Sequence, residues 1–176
     1  YTAVIAVLAR VGTLDAAQRA QNLLNELESM WRTNNKDPAY MPNTKTFASV
    51  LNAWARCFDD DEMVAVERAD ELLDRMDRLY KESGQSKELR PNIIVFVQVF
   101  QILARLRDPK VAAVKSKELL QRMNRLYLIG GHDDVRPDST TMAYFLNTLT
   151  KSGVSNAVEL ATHVIREVEE GYQAGG

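Results

Sequence analysis

Pro42-Asn43-Thr44-Lys45-Thr46-Phe47-Ala48-Ser49-Val50-Leu51-Asn52-Ala53-Trp54-Ala55-Arg56 reads as a proline, a polar entry, and an apolar ladder closed by alanine and a cation. The pattern returns from Pro91 to Arg105 and from Pro137 to Lys151, and its second half opens the chain from Tyr1 to Arg10. The residues that start the ladders, Tyr1, Phe47, Phe96 and Met142, recur after 46, 49 and 46 residues. A fixed period of this size is the signature of stacked like units rather than of one irregular fold. The units run over about 1–42, 43–91, 92–137 and 138–176.

Each ladder has helical periodicity. Phe47, Val50, Leu51 and Trp54 follow the i, i+3, i+4, i+7 spacing that places side chains on one helix face. Tyr1, Val4, Ile5 and Leu8 repeat it, as do Phe96, Val99, Phe100 and Leu103, and Met142, Phe145, Leu146 and Leu149. Asn43, Asn92 and Asp138 follow the prolines and are placed to cap the helices that begin there. A second helix in every unit carries a small residue and then larger apolar ones: Ala20, Leu23, Leu24, Leu27; Ala69, Leu72, Leu73, Met76; Ser116, Leu119, Leu120, Met123; Ala161, Val164, Ile165, Val168. The small residue permits close helix approach, and each large one contributes about 1.5–3 kcal/mol when buried. One helix pair leaves much of its apolar surface open, so neighbouring pairs complete the core. The expected fold is all-α, a superhelix or solenoid of about four antiparallel helix-pair repeats.

The chain is 45% apolar and 26% charged, as folded soluble domains are, and no run of 18 apolar residues is present to span a bilayer. Cys57 is the only cysteine and forms no internal disulfide; inside an apolar helix it reads as a small core residue. Tyr1 already lies within a repeat, which makes the sequence a piece of a longer protein by expectation. The net charge of −2 conceals a segregation. The first helices, taken as residues 1–14, 43–57, 92–107 and 139–152, hold Arg10, Lys45, Arg56, Arg105, Arg107 and Lys151 and no acid, leaving sixteen basic and twenty-four acidic residues elsewhere. A field confined to one set of helices steers a polyanion better than the net charge implies.

The proline with Asn43, Asn92 or Asp138 after it, the aromatic beyond, the apolar ladder and the closing pairs Ala9-Arg10, Ala55-Arg56, Ala104-Arg105 and Thr150-Lys151 together resemble the pentatricopeptide repeat family. In the second helix the small residue is followed seven positions later by Met76 and Met123, as in that family. The likeness covers essentially the whole chain, in an extended-unit form. It implies a right-handed superhelix that binds single-stranded RNA along the groove of the first helices, roughly one base per unit, in a mitochondrion or chloroplast. By the same resemblance the base-reading pairs are Thr2 with Asn43, Ala48 with Asn92, and Val97 with Asp138, with Ala143 lacking its partner. Thr2 with Asn43 matches a combination that implies adenine, whereas Ala48 and Val97 cannot hydrogen-bond to a base edge. Arg10, Arg56, Arg105 and Lys151 correspond to phosphate-contacting positions. Asn52, Gln101 and Asn147 recur five residues after the ladder start, as groove residues or as solvent-facing amides.

No phosphate loop, HExxH or paired-cysteine pattern is present, and the resemblance implies no enzyme, cofactor, metal or small-molecule substrate. Asp59 to Glu62 reads either as a carboxylate metal site or as solvated acids at a helix start, and His132-Asp133-Asp134 either as a metal cluster or, as such loops usually are, as a soluble loop. Two partner classes stay open: single-stranded RNA, or the protein subunits and rRNA of a large organelle assembly in which the chain is a structural subunit. No membrane insertion is expected.

Overall fold

Side-chain chemistry sets where the helices begin. Asn43 Oδ1 accepts from Thr46 N at 3.0 Å while Thr46 Oγ1 accepts from Asn43 N at 3.4 Å, a reciprocal cap for the helix that starts at Thr44. Asp138 and Thr141 build the same box, with both bonds at 2.9 Å. Asp108 caps a third helix that has Pro109 in its first turn, where a missing N–H costs nothing. The computed structural model describes residues 1–57, 62–153 and 159–166. Its helices are α1 (Thr2–Val11), α2 (Leu14–Thr33), α3 (Thr44–Arg56), α4 (Glu62–Glu82), α5 (Ile93–Leu103), α6 (Pro109–Leu128) and α7 (Ser139–Ser152); residues 159–166 are also helical. No strand occurs among the described residues, so the fold class is all-α.

The chain divides into two compact units, Tyr1–Ile102 and Leu103–Gly176. In the first, α1 packs on α2, both pack on α3, and α3 packs on α4. Gly12 adopts φ 77°, a left-handed conformation open to glycine, and turns α1 into α2 with a single further residue between. The core holds Phe47, Val50, Leu51 and Trp54 of α3 against Ala20, Leu24 and Leu27 of α2 and Ala69, Leu72, Leu73 and Met76 of α4, all buried. Trp54 Nε1 donates to Gln21 Oε1 at 3.3 Å, which satisfies both buried groups. At the other end of α2, buried Glu28 accepts from Arg75 of α4 at 2.7 Å and meets Arg32 at 3.6 Å. Desolvation raises the Glu28 pKa above the ordinary 4.5, the two guanidiniums opposing it. In the second unit α6 packs on α7, with Ser116, Leu120, Met123, Phe145 and Leu149 buried.

Two expectations differ from the structure. Tyr1 and Val4 are exposed, because they lie on the side of α1 away from α2 and α3; Ile5 and Ala9 are its buried residues. Helix α5 stops at Leu103, not near Arg107, because the chain needs 104–108 to turn and place Asp108 as the cap of α6; Arg105 therefore follows the helix instead of closing it. The connections between the units contain 3-10 turns at Pro38–Tyr40, Lys87–Leu89 and Asp133–Val135, and two of these bury an apolar anchor, Leu89 and Val135. Residues 59–61 of the acidic stretch lie outside the described residues.

Candidate functional site

The first unit has an open groove of about 750 Å³, within the roughly 300–1,000 Å³ of ligand clefts. Its walls come from α1 (Thr2, Ala3, Ala6), from α3 and its cap (Asn43, Thr44, Lys45, Ala48, Ser49, Asn52), and from α5 and its approach (Asn92, Ile94, Gln98). Lys87 and Glu88 of the second 3-10 turn close one rim. Thr44 Oγ1 holds that turn in place by donating to the Glu88 and Arg90 carbonyls at 2.9 and 3.0 Å. On the other side, the Thr2 and Thr46 hydroxyls bond at 3.0 Å and tie α1 to the start of α3. The small residues Ala3, Ala6, Ala48 and Ser49 among the lining leave room for a flat ligand to approach.

Thr2, Asn43, Ala48 and Asn92, all expected to read bases, thus line one surface. Capping decides what two of them offer. Asn43 Oδ1 is used by Thr46, and Asn92 Oδ1 accepts from Ile94 N at 3.1 Å and Val95 N at 3.4 Å. Each amide thus has its oxygen committed to a helix cap, and the Nδ2 donor is the group it has left to offer a ligand. Ala48 contributes a methyl group. Asn52 lines the groove too, so one of the recurrent amides is a groove residue.

Val97 is half-buried and is not among the groove residues; its neighbour Gln98 is. Gln98 Oε1 is buried and accepts no hydrogen bond among the described residues. In the second unit, Ala143 shares a shallow pocket of about 490 Å³ with Ser139, Thr140, Tyr144 and Asn147, while Asp138 caps α7 beside it. Arg10 and Arg56 are exposed at the ends of α1 and α3. A Cβ on Gly12 would stand 3.8 Å from the Arg56 carbonyl oxygen, so these two helix ends are side by side, outside the groove wall. Lys151 is exposed in the last turn of α7. Lys45 and Lys87 are the cations of the groove itself.

Sequence reasoning did not find Lys87, Glu88 or Gln98. The first two sit in a connection without helical periodicity, and the third has no counterpart at its register, where Ala3, Ser49 and Tyr144 stand. Among the described residues no group of three or more His, Cys, Asp or Glu is placed to hold a metal ion, and no helix is long and apolar enough to cross a membrane. The chain matches no protein-family model, no curated protein and no solved structure.

Proposed function

We propose that this chain is a pentatricopeptide-repeat-like solenoid that binds single-stranded RNA in an organelle, a mitochondrion or chloroplast, along the first helices of its units. The observation that carries the reading is the groove of the first unit, in which Thr2, Asn43, Ala48 and Asn92 meet with two amide donors and the cations Lys45 and Lys87. Amide donors suit the carbonyl oxygens and ring nitrogens on base edges, and small lining residues admit a base plane. Arg10 and Arg56 lie beyond the groove at adjoining helix ends, where a phosphate backbone leaving the groove would meet them.

The methyl group of Ala48 and the carboxylate of Glu88 in the same groove favour a second reading, a structural subunit of a large organelle assembly such as a ribosome, contacting protein and rRNA. The two are separated by filter binding of a single-stranded RNA over rising salt. With phosphate contacts at Arg10, Arg56, Arg105 and Lys151, the log–log slope is about −3. Arg56→Glu with Arg105→Glu reduces the slope and the affinity together under the first reading. RNA affinity unchanged in that variant, with the protein released from its assembly, establishes the second.

A further inference from the structure

A carboxylate in a groove that takes a polyanion repels its ligand unless the ligand brings a hydroxyl or an amine to it. Among the described residues that line the groove, Glu88 alone is acidic. Donors are plentiful around it: the Asn43 and Asn92 Nδ2 groups and the ammonium groups of Lys45 and Lys87. Acceptors are scarce. Asn43 Oδ1 and Asn92 Oδ1 close helix caps, and Gln98 Oε1 is buried. Apart from neutral hydroxyls and the Asn52 amide, the Glu88 carboxylate is the acceptor that remains, and it makes no hydrogen bond or ion pair among the described residues. Its backbone is fixed. Glu88 sits in the 3-10 turn Lys87–Leu89, anchored by buried Leu89 and by the Thr44 hydroxyl, which donates to the Glu88 and Arg90 carbonyls. A group on a braced turn has less freedom to lose when it binds.

We infer that Glu88 accepts a hydrogen bond from a ribose 2′-hydroxyl of the bound strand and so makes the groove selective for RNA over DNA, an inference that rests on the RNA-binding reading of the groove. Every RNA nucleotide carries this donor whatever its base, and DNA lacks it. The bond is of the O–H···O⁻ kind, shorter and stronger than one between neutral groups. Lys87 precedes Glu88 in the same turn, so a cation for phosphate and an anion for the sugar hydroxyl are neighbours, as phosphate and ribose are along a strand. Toward a strand without the hydroxyl the same carboxylate offers only its repulsion of the phosphates. Selectivity therefore comes from both sides, a bond made to RNA and a penalty laid on DNA.

The test measures filter binding of the 176-residue chain to RNA, 2′-O-methyl RNA and DNA strands of one adenine-and-cytosine sequence. The bases are then the same in each, and the sugar is the difference. The expected result is RNA bound about tenfold more tightly than the other two, and that preference lost in Glu88→Ala. The variant keeps the Glu88 carbonyl and with it the Thr44 clasp, so its thermal midpoint matches the parent's. Lys87→Ala weakens binding to each strand alike and reduces the steepness of the salt dependence by about 0.7. An RNA preference equal in the parent and in Glu88→Ala overturns the inference, as does equal affinity of the parent for the three strands. A loss on all three strands in Glu88→Ala overturns it too and assigns the carboxylate to a base amino group. Absence of binding to any strand by the parent overturns the RNA reading itself, a result distinct from each of these.

Discussion

At the scale of single residues, Asn43 performs two tasks with one amide. Its oxygen closes the cap of α3, and its nitrogen is the donor that this groove-lining residue has left to offer. Asn43→Asp keeps the acceptor and removes the donor, so RNA affinity falls about tenfold with the thermal midpoint retained, the loss of one hydrogen bond of about 1.4 kcal/mol. Asn43→Ala also loses the cap, about 1 kcal/mol, and lowers the midpoint. Equal affinity of the Asp variant and the parent removes Asn43 from the reading. Glu28 supplies a different signature. Its folded-state pKa is raised by burial, so the folded protein is the better proton binder. The stabilising contribution of this group is therefore complete below pH 4.5 and declines as pH rises from there through the raised value. Urea midpoints measured across that interval fall less in Glu28→Gln than in the parent; parallel curves contradict the assignment.

Elements in this chain are held by what lies between the helices as much as by the helices. The 3-10 turn at Lys87–Leu89 buries Leu89 completely and brings Lys87 and Glu88 to the groove rim, with Thr44 as its clasp. Leu89→Ala is expected to cost about 3 kcal/mol through the lost burial and the cavity left behind, read as a lower urea midpoint with an unchanged slope. A cost below about 1 kcal/mol would mean that the turn collapses onto the space and is not a fixed part of the wall. The capping boxes at Asn43 and Asp138 were readable from the residues, since Asn or Asp followed three positions later by Thr brings its own partner. Neither Leu89 nor Val135 was readable as an anchor. A lone apolar residue in a polar stretch has no periodicity, and only packing against a neighbouring helix reveals its burial.

For the whole molecule, the charge segregation visible along the sequence is the long-range term, and the salt dependence of binding is the measurement that belongs to it. The structure redistributes the cations: Lys45 and Lys87 stand in the groove, Arg10 and Arg56 at adjoining helix ends, and Arg105 after a helix that stops short of it. The sequence by itself determined the all-helical class, the starts of the capped helices and most of the core. Period, capping chemistry and hydrophobic spacing are local properties, and the chain carries each of them several times over. Only the tertiary structure decided which side of each helix is covered. Val4 and Val50 carry the same pattern and have opposite exposure, because burial depends on the neighbouring helix and not on the residue. It also decided the groove, where Thr2, Asn43, Ala48 and Asn92 converge from three segments and a linker contributes Lys87 and Glu88. Convergence of distant segments is a consequence of packing, which no local pattern encodes.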